Sequence, residues 1–257
     1  MNQRPRIYDA MLQLHLREFR QMAFVGGPRQ VGKTTICRKP ADLYLNYDHL
    51  PDRRLILGSP DSLAIAAGLL ELSERPRHIT FDEIHKCKSW KNLLKGFFDK
   101  YEKQARIIVT GSSRLDIYRR GKDSLMGRYF LYRMHPFSVA ETLHQSLPGE
   151  DVIRKPAPIS EEDYAALWLH GGFPEPFVRR QSAFTLRWSK LRKEQLVRGD
   201  MRDVAQIQDM GQMEVLTELL AERSGQQLNY SSLATQIRVS VDTIRRWIDL
   251  LMRLHYG

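Results

Sequence analysis

The chain has 257 residues, of which 42% are apolar and 27% charged, and its formal net charge is +10. That length holds one large domain or two smaller ones around a sizeable core, and the composition is that of a globular protein. No apolar run approaches the roughly 18 residues of a membrane-spanning helix, and the charge-interrupted start, MNQRPRIYDAMLQLHLREFR, is not a secretory signal. The positive charge suits an anionic partner, a nucleotide, nucleic acid or membrane surface, and equally a solvated basic surface. Cys37 and Cys87 have no metal-ligand spacing, so a reduced, cytoplasmic setting is expected, with no membrane partner.

In chain order, five short apolar runs read as strands: MAFV (22–25), LYLNY (43–47), HITF (78–81), RIIVT (106–110) and RYFLYRM (128–134). Between the third and fourth, Trp90, Leu93, Leu94, Phe97, Phe98 and Tyr101 recur at helical spacing and predict one apolar helix face. Strands alternating with helices imply a parallel sheet covered on both faces. From 144 to 160 three prolines and no periodicity read as a linker. Helical patterns follow at 161–170, 182–197 and 213–224, with Gly225 as a C-cap. The expected organisation is a core at 1–143, a linker at 144–160, a helical, lid-like segment at 161–225 and a helix-turn-helix at 226–257.

The chemistry starts after the first strand, in GGPRQVGKTT. Gly27-x4-Gly32-Lys33-Thr34 lets a loop wrap back so that its N–H groups converge on phosphate oxygens, ahead of a helix N-terminus. Gly27, Pro28, Arg29, Gln30, Val31, Gly32, Lys33, Thr34 and Thr35 are the expected nucleotide-binding stretch. Lys33 is placed for the β- and γ-phosphates and Thr34 for Mg2+. After the third strand, Asp82 is expected to hold the magnesium through water, and Glu83 to direct the water that attacks the γ-phosphate. That glutamate favours hydrolysis over a kinase reaction. After the fourth strand, Thr110, Ser112 and Ser113 offer hydroxyls for sensing the γ-phosphate, or plain turn chemistry. Arg114, Arg119, Arg120 and Arg128 are candidate transition-state cations. Position favours Arg128, acting in cis or across a subunit interface, against a surface salt bridge.

These residues resemble a known family. GPRQVGKTT, FDEIHK with Trp90 downstream, VTGSSRLDI, GRYFLYRMHPFSVAE and GGFPEP together resemble the prokaryotic AAA+-like P-loop ATPases of the archaeal-type ATPase group. The resemblance implies ATP as the nucleotide, a sheet of order 5-1-4-3-2, and a winged-helix segment behind the core. It also implies that Gly172, Phe173 and Pro174 fold over the base, where the residues alone give a rigid turn. A further C-terminal domain of nuclease-like fold, usual in the family, is not within these residues, nor is a clear wing.

In the last segment Leu233, Ala234 and Ile237 face one way, and Ser240 N-caps a second helix whose apolar face is Ile244, Trp247, Ile248 and Leu251. Thr243, Arg245 and Arg246 then face outward, as a major-groove helix would place them, or as a protein-packing pair would. The basic stretch 179–202 adds phosphate contacts or is a solvated face. The expected function is a magnesium-dependent ATPase that couples nucleotide state to a DNA or protein partner. The alternative is a nucleotide-gated DNA-binding regulator with little turnover. A helicase lacks room for a second motor, and no acceptor-binding signature supports a small-molecule kinase.

Overall fold

The computed structural model describes residues 4–111, 125–147, 149, 153–196 and 210–256. The chain divides into two compact units, Met1–Arg180 and Gln181–Gly257.

The first unit is a five-stranded, all-parallel sheet: β1 Met22–Gly26, β2 Leu43–Asn46, β3 Arg77–Asp82, β4 Ala105–Thr110 and β5 Tyr129–Arg133. The strand order is β2-β3-β4-β1-β5, which is the 5-1-4-3-2 order implied by the resemblance. β1 is central and buried along its whole length. Its side chains alternate, as a strand requires. Met22 and Phe24 join the larger core with Phe81, Ile107 and Val109, while Ala23 and Val25 join the smaller one with Ile108, Ile36 and Cys37.

Helix α1 (Ile7–Glu18) and helix α2 (Lys33–Arg38) supply the smaller core. Helices α3 (Leu50–Leu57), α4 (Pro60–Ala66) and α5 (Trp90–Tyr101) supply the larger one. α5 is the helix predicted from periodicity, and Trp90, Leu94, Phe97, Phe98 and Tyr101 are buried as its spacing requires. α6 (Val139–Leu143) follows β5.

The first unit runs past the expected linker. α7 (Glu161–His170) and α8 (Pro174–Arg179) belong to it, and Ala166 and Phe177 pack on Phe137. The stretch expected as one lid-like segment, 161–225, is thus shared between the two units. The turn between α7 and α8 is tied down at Gly172. The Phe137 N–H donates to the Gly172 carbonyl at 2.7 Å. A Cβ on Gly172 would lie 2.1 Å from the Phe137 carbonyl oxygen. The close approach of two backbones explains this glycine.

The second unit contains α9 (Ser182–Glu194), α10 (Met210–Glu222), α11 (Tyr230–Ile237) and α12 (Val241–Arg253). Leu233, Ala234, Ile237, Ile244, Ile248 and Leu251 are buried, and the Ser240 hydroxyl accepts the Thr243 N–H, so it caps α12. α11 and α12 make the expected helix-turn-helix. No strand follows it among the described residues.

Gly172→Ala is expected to cost about 1–3 kcal/mol, because the clash is with backbone that cannot rotate away. That lowers Tm by roughly 2–4 °C per kcal/mol in a chain of this size. Thermal unfolding of the variant checks it, and an unchanged Tm would contradict the packing at Phe137.

Candidate phosphate and nucleotide site

The strand register sets the site. Val25 and Asp82 both pair with Thr110, Asn46 pairs with Asp82, and Gly26 pairs with Arg133. The C-terminal ends of all five strands therefore meet along one edge of the sheet, where ligands of open α/β sheets bind.

The loop after β1 needs its glycines. Gly27 has φ +142°, and a Cβ there would sit 2.2 Å from the Met134 carbonyl oxygen. The Met134 N–H in turn donates to the Gly26 carbonyl. Gly32 has φ +98° and Gln30 φ +63°, conformations that turn successive N–H groups inward. Val31 is fully buried and anchors the loop in the core. α2 is only six residues long, so the loop amides and Lys33 carry most of the site's positive field.

Lys33 is 7% exposed. Its Nζ donates to the carbonyls of Gly27 (3.0 Å) and Pro28 (2.6 Å). Burial pushes its pKa down to about 8, although the carboxylates of Glu83 and Asp82 hold it up. Asp82 is 2% exposed. Its Oδ2 accepts the Thr34 hydroxyl at 2.8 Å and the Tyr44 hydroxyl at 2.6 Å. Its Oδ1 and the Thr110 hydroxyl are buried with no hydrogen-bond partner among the described residues. Glu83 sits in the left-handed region, φ 56° and ψ 21°, which is uncommon for glutamate. Its N–H donates to the Thr110 carbonyl at 3.0 Å, which holds the unusual backbone in place. Its carboxylate lies 3.3 Å from Lys86 Nζ.

These residues fit a hydrated magnesium ion. A cation of this kind binds through a few oxygen donors and keeps several waters, and Thr34 with the orphaned Asp82 Oδ1 offers that chemistry. Among the described residues no group of three or more His, Cys, Asp or Glu competes as a metal site.

Beside the loop lies a cavity of about 200 Å³, lined by Gly32, Thr35, Ile36, Phe137, Pro174 and Val178 among others. Pro174 is thus part of the wall of the cavity beside Gly32. Gly172 packs its turn on Phe137.

Sequence reasoning missed three groups. Arg6, only 5% exposed, makes a bidentate pair with Glu141 of α6 (2.6 and 2.9 Å) and donates to the carbonyls of Val31 (3.0 Å) and His135 (2.6 Å). Its guanidinium lies 4.0 Å from the Phe137 ring centroid. Arg4 pairs with Asp163 of α7. Tyr44 reaches Asp82 from β2. No local motif marks these residues: their partners lie 25 to 159 positions away in the chain.

Arg128 is a correction. Its carbonyl accepts the Met22 N–H, so it stands where β1 begins, at the far end of the strands from the loop. Its guanidinium pairs with Asp99 of α5 at 2.6 and 3.0 Å. The structure does not bring it to this chain's phosphate loop, and its part in cis falls away. Ser112, Ser113, Arg114, Arg119 and Arg120 lie outside the described residues. Arg245 and Arg246 are exposed on α12, and Arg246 donates to the Thr243 hydroxyl.

Residues 19–143 match the family model described as an AAA domain, and residues 161–256 match one described as a domain of unknown function. The residues that match an AAA domain hold all five strands of the sheet. Two uncharacterized proteins, from Mycobacterium bovis and Mycobacterium tuberculosis, are each 27% identical over 229 residues, covering 88% of this chain and 46% of theirs. The chain thus spans about half the length of these curated relatives. Among solved structures, the Aeropyrum pernix Orc1 protein in complex with DNA is 11% identical, with a TM-score of 0.43 over 96% of this chain and 83% of that one. A DNA polymerase III gamma subunit-related protein from Thermotoga maritima is 13% identical, with a TM-score of 0.36 over 96% and 82%. No helix among the described residues is long and apolar enough to cross a membrane.

The shift at Lys33 gives the site a pH dependence. The folded-state pKa of about 8 lies below the ordinary 10.5. Holding Lys33 charged therefore costs the fold at pH 7, and the cost is relieved as pH rises from about 8 towards 10.5. A bound polyphosphate favours the charged form, so above pH 8 binding must take up a proton. Nucleotide Kd is expected to rise by up to about tenfold per pH unit above pH 8 and to stay flat below it. Titration calorimetry in buffers of different ionisation enthalpy checks this through the proton count, with Lys33→Met as the control that loses the dependence.

Proposed function

We propose that the chain is a magnesium-dependent ATPase. The observation that carries this reading is the junction at the end of β3. There a buried Asp82 is bonded to the Thr34 hydroxyl of the phosphate loop, and the next residue, Glu83, is held in a left-handed conformation by the Thr110 carbonyl. An aspartate that serves the cation and a glutamate that serves the water are needed side by side, and a reversal of the backbone between them turns the second carboxylate away from the first.

In this reading Gly27 to Thr35 bind the β- and γ-phosphates through loop N–H groups, and Lys33 Nζ exchanges its two carbonyl partners for phosphate oxygens. Thr34 and Asp82 would hold magnesium, which when bound neutralises charge on the phosphate oxygens. A Glu83 carboxylate oxygen accepts a proton from the attacking water. Thr110, which pairs with Asp82 and has a buried hydroxyl without a partner among the described residues, takes the sensor part that its strand position suggested. Pro174 and the cavity beside Gly32 receive the base. ATP is preferred on family resemblance, since the guanine-selecting Asn-Lys-x-Asp pattern is absent from the sequence.

The helix-turn-helix supports a partner, DNA or protein, as the load on this cycle. Arg245 and Arg246 are exposed near the start of α12, and Thr243 stands beside them. These three are the DNA-facing residues of the proposal. The same observation favours a second reading, a nucleotide-gated DNA-binding regulator that depends on the phosphate loop and Arg245 and Arg246 but not on Glu83.

Two measurements separate the readings. Glu83→Gln is expected to keep nucleotide affinity and to lose about 10²- to 10⁴-fold in turnover. A variant that hydrolyses at the wild-type rate would remove Glu83 from the reaction. Duplex DNA affinity measured with ADP, with ATP and without nucleotide is expected to differ between states. Equal values in all three would end gating.

A further inference from the structure

We infer that Tyr44 is a positioning residue of the cation site, a role that rests on the reading of Asp82 given above. Tyr44 and Asp82 lie on neighbouring parallel strands. Asn46 pairs with Asp82 and Tyr44 with Thr80, so Tyr44 is the diagonal neighbour of Asp82 on the same face of the sheet. A long side chain spans that diagonal, and the Tyr44 hydroxyl donates to Asp82 Oδ2 at 2.6 Å. The Thr34 hydroxyl donates to the same oxygen at 2.8 Å. Each hydroxyl has one proton to give, and both give it to the same oxygen of Asp82. Its orientation is fixed from two sides, by α2 and by β2. Oδ1 is left buried and without a partner among the described residues. The ring of Tyr44 is itself held, with the Arg38 guanidinium 4.9 Å from its centroid.

Thr34 has two tasks in the proposed cycle. It braces Asp82, and its oxygen lone pairs serve the cation. Tyr44 has only the first. Whenever Thr34 adjusts to an incoming phosphate-bound cation, the Tyr44 hydroxyl keeps Oδ2 in place and Oδ1 presented to the cation's water. Outer-shell donors of this kind are worth about 10- to 100-fold in metal affinity. Tyr44 adds no charge and does not touch the phosphates in this arrangement, so its effect is confined to the metal-dependent part of binding.

The test is nucleotide affinity, read by fluorescence of an ATP analogue labelled on the ribose, with MgCl2 and with EDTA. Wild type, Tyr44→Phe and Asp82→Asn are compared, each with its Tm. Tyr44→Phe is expected to reduce the magnesium-dependent gain in affinity about tenfold, and to leave the EDTA value within about twofold of wild type. Asp82→Asn is expected to abolish most of the gain. If Asp82→Asn keeps the full gain, the assignment of Asp82 fails, and with it the basis for Tyr44. If Asp82→Asn loses the gain and Tyr44→Phe keeps it, the role of Tyr44 is overturned while that of Asp82 stands. A lower Tm for Tyr44→Phe with an unchanged gain makes Tyr44 a structural residue only and overturns the inference in the same way.

Discussion

The phosphate loop depends on a cation that comes from outside it. Arg6 precedes the first helix, yet its guanidinium bonds the Val31 carbonyl inside the loop, the His135 carbonyl after β5 and both oxygens of Glu141 on α6. A buried ion pair adds little net stability over a well-packed apolar pair, but breaking one costs several kcal/mol. Its contribution here is geometric. A glycine-rich loop has little side-chain packing of its own to hold N–H groups in register, and Val31 is the loop residue that joins the apolar cluster. Arg6 grips the carbonyl of that same residue, so the loop is fixed from below by the Val31 side chain and from the side by Arg6. Because Arg6 also lies against Phe137, which carries Gly172 and Phe177, one guanidinium joins the phosphate side of the site to the turn that bears Pro174.

A second constraint follows at the end of β3. The β3–β4 ladder does not stop at Asp82, since the Glu83 N–H still finds the Thr110 carbonyl. Glu83 is therefore held as part of the sheet while its φ is that of a turn. A non-glycine residue kept in the left-handed region stores about 1–3 kcal/mol, and such strain persists where surrounding bonds over-determine it. Here the bond continues the ladder between the buried ends of two interior strands. The two carboxylates consequently diverge, one inward to Thr34 and Tyr44 and the other towards the more open side occupied by Lys86.

Much of this was legible in sequence because it is local. The loop spacing from Gly27 to Thr34, the Asp82-Glu83 pair after an apolar run, the face of α5 and the Ser240 cap each fit within about a dozen residues, where periodicity and φ preferences act. What was hidden is long-range. Arg6 looks like one of many basic residues near the start, and nothing in it announces Glu141, 135 positions on. Tyr44 reads as an ordinary strand aromatic until the register of β2 against β3 is known. Arg128 misled for the opposite reason: it is close in sequence to the strand beside β1, but a strand has two ends, and chain proximity does not say which end faces the ligand. The register does, and it sets Arg128 against Asp99.

The two faces of the sheet divide the remaining work. On the α5 face the strands present Phe24, Phe81, Ile107 and Val109 to an aromatic helix, and most of the buried apolar area of the first unit lies there. On the α2 face the same strands present Ala23, Val25, Thr80 and Asp82. Small side chains let α2 approach closely, and the Thr80 hydroxyl bonds the Cys37 carbonyl near its end. That approach is what brings Thr34, at the start of a helix too short to be stable alone, within 2.8 Å of Asp82. Larger residues at Ala23 or Val25 would fill more core and push the helix off the carboxylate. The α2 face can be the smaller and more polar one because the opposite face holds the larger apolar cluster, and that division follows the alternation of four residues in β1.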